Sequence, residues 1–295
     1  MSDKLLNGII VKAFGGFYFV QVGNQVYTCS LRGRLKKAEA GVLVGDKVLM
    51  QALGNGEGVV EEILPRQNQL LRPKAANIEQ AVLVIAVRDP SPDWMLLDRL
   101  LVLVGYAGIE PVVCFNKEDL FTDLSRFPFD IYKEAGFRVV FTGIHNNKGK
   151  EELQNILKNK ISIMAGPSGV GKTSILNMIQ DGLVLTTGEI SNKLGRGKHT
   201  TRHVQLLPLA CGGWVADSPG FSRLDLPQDM TKELLASYYP EIRQVLGKCR
   251  FDGCSHYKEP DCAVKKLVAT GKFNKERYER YIMLLEELLE REERY

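Results

Sequence analysis

The chain has 295 residues, 44% of them hydrophobic and 25% charged, and a formal net charge of +4. This length predicts two or three domains rather than one small core. No apolar run approaches the roughly 20 residues that span a bilayer, and Met1-Ser2-Asp3-Lys4-Leu5 opens no secretory segment, so a cytoplasmic protein without a membrane partner is expected.

Residues 5 to about 66 read as short strands: Ile9–Val11, Phe17–Val20, Gln25–Thr28, Asp46–Met50 and Val59–Ile63. Glycine turns separate them and no helix-length segment intervenes, which predicts a small OB-type β-barrel. Phe17, Phe19 and Tyr27 are expected mostly to fill it, leaving the basic stretch Leu31-Arg32-Gly33-Arg34-Leu35-Lys36-Lys37 as the better candidate for contacting nucleic acid. The polar, proline-bearing link Pro65–Gln69 places a boundary near 68, giving a first domain of residues 1–68.

From about residue 75 apolar strand runs alternate with helical segments such as Trp94 to Ala107. The strand runs are 80–87, 111–115, 138–141, 161–165 and 213–216. Strands apolar along their whole length imply a parallel sheet covered on both faces. This α/β region is expected to span residues 69–225. A mainly helical region, 226–295, follows, and its last helix is read as carrying Tyr278, Ile282, Leu285 and Leu289 on one face that packs on its own domain.

Gly166-Pro167-Ser168-Gly169-Val170-Gly171-Lys172-Thr173 follows an apolar strand and opens a helix at Ser174. Such a loop lets backbone N–H groups converge on phosphates at a positive helix end. Lys172 is expected at the β- and γ-phosphates and Thr173 on Mg²⁺. Asn116-Lys117-Glu118-Asp119, also at a strand end, names the base. A carboxylate at Asp119 accepts from guanine N1–H and its amine, Asn116 holds the loop, and the Lys117 stem covers the ring. Thr142-Gly143 is a candidate backbone contact to the guanine carbonyl. Asp217-Ser218-Pro219-Gly220 can hold the metal through water at Asp217 and meet a γ-phosphate at the Gly220 N–H.

The base-reading tetrapeptide precedes the phosphate loop, the reverse of ordinary Ras-like GTPases, which implies a circularly permuted GTPase. Between the phosphate loop and Asp217 lies a glycine-rich basic stretch, Asn192 to His203. It offers Thr200 or Thr201 as the switch threonine, and His199 as either a water-orienting group or an RNA phosphate contact. Phe221 stands where many Ras-like chains carry a water-positioning glutamine, so slow intrinsic hydrolysis is expected.

Cys249, Cys254, His256 and Cys262 supply three thiolates and an imidazole within fourteen residues. Three sulfurs and one nitrogen suit a closed, structural, tetrahedral Zn²⁺ site. Cys29, Cys114 and Cys211 are isolated in apolar segments and read as core.

This order of motifs, with Gly197-Lys198-His199-Thr200-Thr201 and the Cys/His cluster, resembles ribosome small-subunit-dependent GTPase A, the RsgA/YjeQ family, over nearly the whole chain. The resemblance implies GTP hydrolysis to GDP, stimulated by the small ribosomal subunit and coupled to late subunit maturation and release. It also implies contact with rRNA, with the chain expected to act as a monomer. Arg202 and Gly143 depart from the family's usual third threonine and alanine. Two rivals follow from the residues: a P-loop kinase or ATPase with an accidental Asn116–Asp119 motif, and an RNA-binding protein holding GTP as a passive ligand.

Overall fold

The structure, a computed structural model, describes residues 5–35, 41–71, 74–120, 129–180, 204–217 and 224–292. The expectations for His199, Thr200, Thr201, Arg202, Gly220 and Phe221 fall outside the described residues.

Five strands open the chain: β1 (Leu6–Phe14), β2 (Phe17–Val22), β3 (Gln25–Leu31), β4 (Lys47–Gly54) and β5 (Glu57–Ile63). They close in the order β1-β2-β3-β5-β4-β1, with β3 and β5 parallel and the other neighbours antiparallel. Closure leaves no free ladder edge, and the result is the expected five-stranded barrel. Strand alternation turns Ile10, Val20, Cys29, Val48, Met50 and Val60 fully inward. Burial alone pushes the Cys29 thiol up to about 11. Tyr27, two residues from the inward Cys29, packs on the barrel core as expected, but the two phenylalanines do not. Phe17 is 54% exposed, and Phe19, next to the inward Val20, necessarily faces the other way and packs on the core of the central sheet.

A small hairpin, β6 (Gln69–Leu71) and β7 (Lys74–Ala76), leads into the α/β region. There follow β8 (Gln80–Ala86), α1 (Trp94–Tyr106), β9 (Glu110–Asn116), α2 (Asp130–Glu134), β10 (Arg138–Thr142), α3 (Lys150–Leu157), β11 (Ile161–Ala165), α4 (Lys172–Ile179), β12 (Gln205–Pro208) and β13 (Trp214–Asp217). The strand order is β10-β9-β8-β11-β13-β12, all parallel except β12. Every residue of β8 and β11 is buried, as parallel strands covered on both faces should be. Gln80 and Ser162 are the polar exceptions, and the Gln80 amide donates to the Ile156 carbonyl and to Ser162 Oγ, each at 2.9 Å. Cys114 is fully buried, its thiol pushed up to about 12 chiefly by desolvation, whereas Cys211 is only partly covered.

The barrel joins this sheet through its own backbone. β12 pairs with β13 and also, at Lys12 and Gln205, with β1. Ala76 N–H donates to Val44 O at 2.9 Å, and Asn77 Nδ2 to Gly45 O at 2.9 Å. Arg66 in the link forks onto the buried Asp46, Nε to Oδ1 at 2.6 Å and Nη2 to Oδ2 at 2.8 Å.

The C-terminal region comprises α5 (Lys232–Ser237), α6 (Pro240–Arg243), α7 (Ala263–Ala269) and α8 (Lys275–Glu292). Helix α1 serves two cores, which is why it is apolar around most of its circumference. Leu97, Leu100, Leu101 and Val104 face the sheet, while Val102 and Leu103 face the C-terminal helices. Helix α8 therefore packs on α1 as well as on its own region. Its most buried apolar residues are Tyr281, Leu284, Leu285 and Leu288, a stripe rotated from the expected Tyr278, Ile282, Leu285 and Leu289, of which all but Leu285 are partly covered. Between the two regions lies a buried charge cluster. Asp98 of α1 accepts at Oδ1 from Arg277 Nη1 and at Oδ2 from Arg280 Nε, and Arg277 Nε donates to Glu241 at 2.8 Å. The Arg277 guanidinium also lies 4.9 Å from the ring centres of both Tyr132 and Tyr239, which adds cation–π attraction in a dry setting. No described helix is long and apolar enough to cross a membrane.

Candidate functional site

Parallel strands in one sheet end at one edge, and this brings the separated motifs together. β11 leads into the phosphate loop, β9 two strands away into Asn116–Asp119, and β10 into Thr142-Gly143. β13 runs beside β11 with Ala216 opposite Ile163 and ends at Asp217.

Backbone freedom and close approach shape the phosphate loop. Gly166 has φ +139° and Gly171 φ +96°, regions that favour glycine. A Cβ at Gly166 would stand 2.1 Å from the Val84 carbonyl, and one at Gly171 would stand 2.3 Å from Asn116 Nδ2. Ser168 and Gly169 are exposed at the tip; Pro167 is partly covered and Val170 is buried. Lys172, Thr173 and Ser174 form the first turn of α4, and all three are partly accessible. Lys172 Nζ donates to the carbonyls of Gly166 and Pro167, at 2.8 and 2.7 Å. Burial lowers its pKa, so its charge is desolvated and aimed along the loop.

Asn116 is fully buried and works as a clamp. Its Nδ2 donates to the Val170 carbonyl at 2.7 Å, and its Oδ1 accepts from Thr142 Oγ1 at 2.8 Å. One amide thus ties the base-reading loop to the phosphate loop and to β10. Lys117 takes a left-handed φ of +64°, and its ammonium donates to the Asp89 carbonyl ahead of α1. Asp119 sits in the 3₁₀ turn Glu118–Leu120, where its Oδ2 accepts from the His145 N–H at 3.2 Å. The expected Thr142-Gly143 pair is present at this edge with other partners. Thr142 supports Asn116, and the Gly143 N–H donates to Lys148 O at 3.2 Å. A Cβ at Gly143 would stand 2.5 Å from Asn146 Oδ1 and 3.2 Å from Asp119 Oδ1, so glycine leaves room here for both side chains. His145 and Asp89 were not singled out from sequence, and neither lies in a motif with a fixed spacing.

The second site lies in the C-terminal region. One ligand atom each from Cys249, Cys254, His256 and Cys262 falls within 4.8 Å of all the others. His256 Nδ1 is 3.5 Å from both Cys249 Sγ and Cys262 Sγ, and those sulfurs are 3.9 Å apart. A tetrahedral ion with Zn–S near 2.3 Å and Zn–N near 2.0 Å has edges of about 3.5 to 3.8 Å, so the four groups fit zinc. Their setting is held from outside. Ala263 N–H donates to Cys249 Sγ at 3.4 Å, and Tyr278 and Tyr281 hydroxyls donate to the His256 and Ser255 carbonyls at 2.7 and 2.9 Å. Glu259 accepts from Ser255 N, Ser255 Oγ and Tyr257 N.

Comparison with known proteins agrees with this architecture along the chain. The profile described as RsgA GTPase matches residues 63–227, and that described as RsgA N-terminal domain matches residues 7–60. The chain is 47% identical to a small ribosomal subunit biogenesis GTPase RsgA of Moorella thermoacetica, over 97% of this chain and 99% of that one. It is 46% identical to the protein of the same name from Carboxydothermus hydrogenoformans, over 96% and 98%. Among solved structures, YjeQ from Thermotoga maritima superposes with a TM-score of 0.84 at 35% identity, covering 97% of this chain and 99% of that one. YloQ, described as a circularly permuted GTPase, gives 0.82 at 35% identity, covering 98% and 96%. The chain belongs to the RsgA family of circularly permuted GTPases.

Proposed function

We propose that this chain binds GTP across the Asn116–Asp119 and Gly166–Thr173 loops, hydrolyses it on the small ribosomal subunit, and couples turnover to late subunit maturation and its own release. The observation that carries the reading is the Asn116 clamp, which joins a guanine-reading loop to a phosphate loop. That junction also disfavours the kinase or ATPase alternative, because an accidental tetrapeptide has no reason to lock onto the phosphate loop. The names of the relatives supply the subunit as partner.

In this reading Asp119 accepts from guanine N1–H and its amine, displacing the His145 N–H, while the Lys117 stem covers the ring. Lys172 exchanges its two loop carbonyls for phosphate oxygens, a trade that favours the ion because its charge is already partly desolvated. Backbone N–H groups from Ser168 to Ser174 face the phosphates at the start of α4. Thr173 and Asp217 are the residues that would hold Mg²⁺, which when bound neutralises phosphate charge. Gly220 would contact the γ-phosphate, Thr200 or Thr201 would close on it, and His199 would orient the attacking water that Phe221 cannot.

The three units, 1–68, 69–225 and 226–295, divide the work, with one zinc at Cys249, Cys254, His256 and Cys262 holding the last together. The barrel meets rRNA through its rim, where Arg32 is 61% exposed and Phe14, Phe17 and Leu53 stand out in the β1–β2 and β4–β5 turns; rims of such barrels bind by charge and stacking. Displacement of the Asp217–Gly220 segment is passed to the zinc-bearing unit, and the chain acts singly in the cytoplasm.

The test is phosphate release from GTP with and without purified small subunits, using Lys172→Ala as the control. Stimulation that the variant abolishes supports the reading. Guanine-specific binding without stimulation replaces it with the passive RNA-binding alternative. His199→Ala is expected to lose stimulation while keeping nucleotide affinity, and unchanged stimulated turnover would remove its catalytic role.

A further inference from the structure

Arg99 of α1 touches two segments more than a hundred residues downstream. Its Nη1 donates to the Leu224 carbonyl at 3.0 Å and to Glu287 Oε1 at 3.0 Å, and its Nη2 donates to Glu287 Oε2 at 2.5 Å. Leu224 stands seven residues after Asp217, and Glu287 is on α8. The next few residues are gripped in the same manner. Arg291 of α8 donates to the carbonyls of Leu226, Pro227 and Met230 at 3.2, 2.8 and 3.1 Å, while the side chains of Leu226 and Met230 are buried in the C-terminal core.

The stretch from Leu224 to Met230 is thus held by its carbonyl oxygens as well as by the buried side chains of Leu226 and Met230. α1 and α8, which do the fixing, are themselves locked together by Asp98 with Arg277 and Arg280. Only a planar fork of donors can serve a carbonyl and both oxygens of a carboxylate at once; a lysine ammonium is a single point charge on a flexible stem. Arg99 reaches neither the phosphate loop nor the base-reading residues in the described structure, so its influence passes through Leu224.

We propose that Arg99 is a positioning residue for GTP hydrolysis. It fixes Leu224, seven residues beyond Asp217, against α8, so that a subunit acting on the C-terminal unit bears also on the Asp217–Gly220 motif. This rests on the reading of Asp217–Gly220 as the metal- and γ-phosphate-sensing segment.

The experiment is steady-state GTP hydrolysis by the full chain with saturating small subunits, comparing Arg99→Gln, Arg99→Lys and Glu287→Gln. Arg99→Gln is expected to lower stimulated kcat about tenfold, within the usual span of coupling between sites, with KM for GTP and affinity for GDP unchanged. Arg99→Lys is expected not to restore it, and Glu287→Gln, which keeps the Leu224 bond, to lose less. Zinc content and thermal midpoint measured in parallel separate this from a merely structural role, which would move them and KM together with kcat. Stimulated kcat at the unmodified level in Arg99→Gln overturns the proposal; if that variant does not fold, unmodified kcat in Arg99→Lys overturns it equally. Asp217→Asn is the control for the underlying reading. Normal turnover in Asp217→Asn means the motif was misread and the proposal falls with it, whereas lost turnover there beside normal Arg99 variants removes the proposal alone.

Discussion

Where the barrel meets the central sheet the polar contacts run largely through the barrel's backbone: the Lys12–Gln205 strand pair, the Ala76 N–H to Val44 O bond and the Asn77 side-chain amide on Gly45 O, with a side-chain fork from Arg66 to Asp46 and apolar packing by Val11, Val44 and Phe19. Where the C-terminal unit meets it they run through side chains: Asp98 between Arg277 and Arg280, Glu241 beneath Arg277, and Leu103 and Val102 among the helical apolar residues. A backbone ladder specifies register and tolerates changes of side chain. A buried charge cluster specifies partners, and any single replacement leaves an uncompensated ion behind. The barrel is therefore set at a fixed register on the sheet, while the C-terminal unit is keyed to particular residues of α1.

Four changes break or sharpen that contrast. The largest effect is expected from Cys262→Ser. Structural zinc contributes on the order of 10 kcal/mol to folding of small metal-held units, so metal should be lost and residues 226–292 should become protease-sensitive while the barrel and sheet resist. Cleavage spreading into the barrel would show that the two attachments are not independent. Next comes Asp98→Asn, which strands Arg280 and leaves Arg277 to Glu241 alone. A loss of about 3 to 5 kcal/mol is expected for breaking a buried pair, read by urea unfolding and by faster amide exchange in α8. Asp46→Asn should cost about 2 kcal/mol, the scale of a charge-assisted hydrogen bond, with faster exchange confined to residues 42–46 and 74–77. Exchange rising in α8 as well would erase the distinction. The smallest effect on stability is Glu287→Gln, under about 1 kcal/mol, because that carboxylate is 41% exposed; its consequence belongs to turnover rather than to unfolding.

Much of this molecule was legible before its fold. The barrel strands, the permuted order of motifs and the Cys/His cluster depend on local pattern, and local pattern survives into the structure. The buried charges were not legible. Arg277 and Arg280 occupy a helical segment rich in ordinary charges, and nothing in spacing separates an arginine that is 1% exposed from one in water; Asp98 and Arg99 are the only charges of the otherwise apolar α1, and no spacing names partners that lie more than a hundred residues away. The stripe on α8 was displaced for the same reason: periodicity gives one face, but this helix meets both its own unit and α1. The rings of the barrel were assigned inward from residue type, whereas alternation from Val20 decides the matter for Phe19. At the edge where the sheet's parallel strands end, the motif puts Asn116 and Asp119 on one strand end and the turn after it, yet the partners of Thr142 and the N–H of His145 depend on how β10 turns, which no short motif encodes.

The close approach of Gly171 to Asn116 has a consequence for genetics. Any side chain at residue 171 displaces the amide that holds the base-reading loop. A selection for variants with relaxed discrimination between guanine and other bases would therefore return substitutions in the phosphate loop. Their phenotype would point to the wrong half of the ligand unless both loops were sequenced and interpreted as one unit.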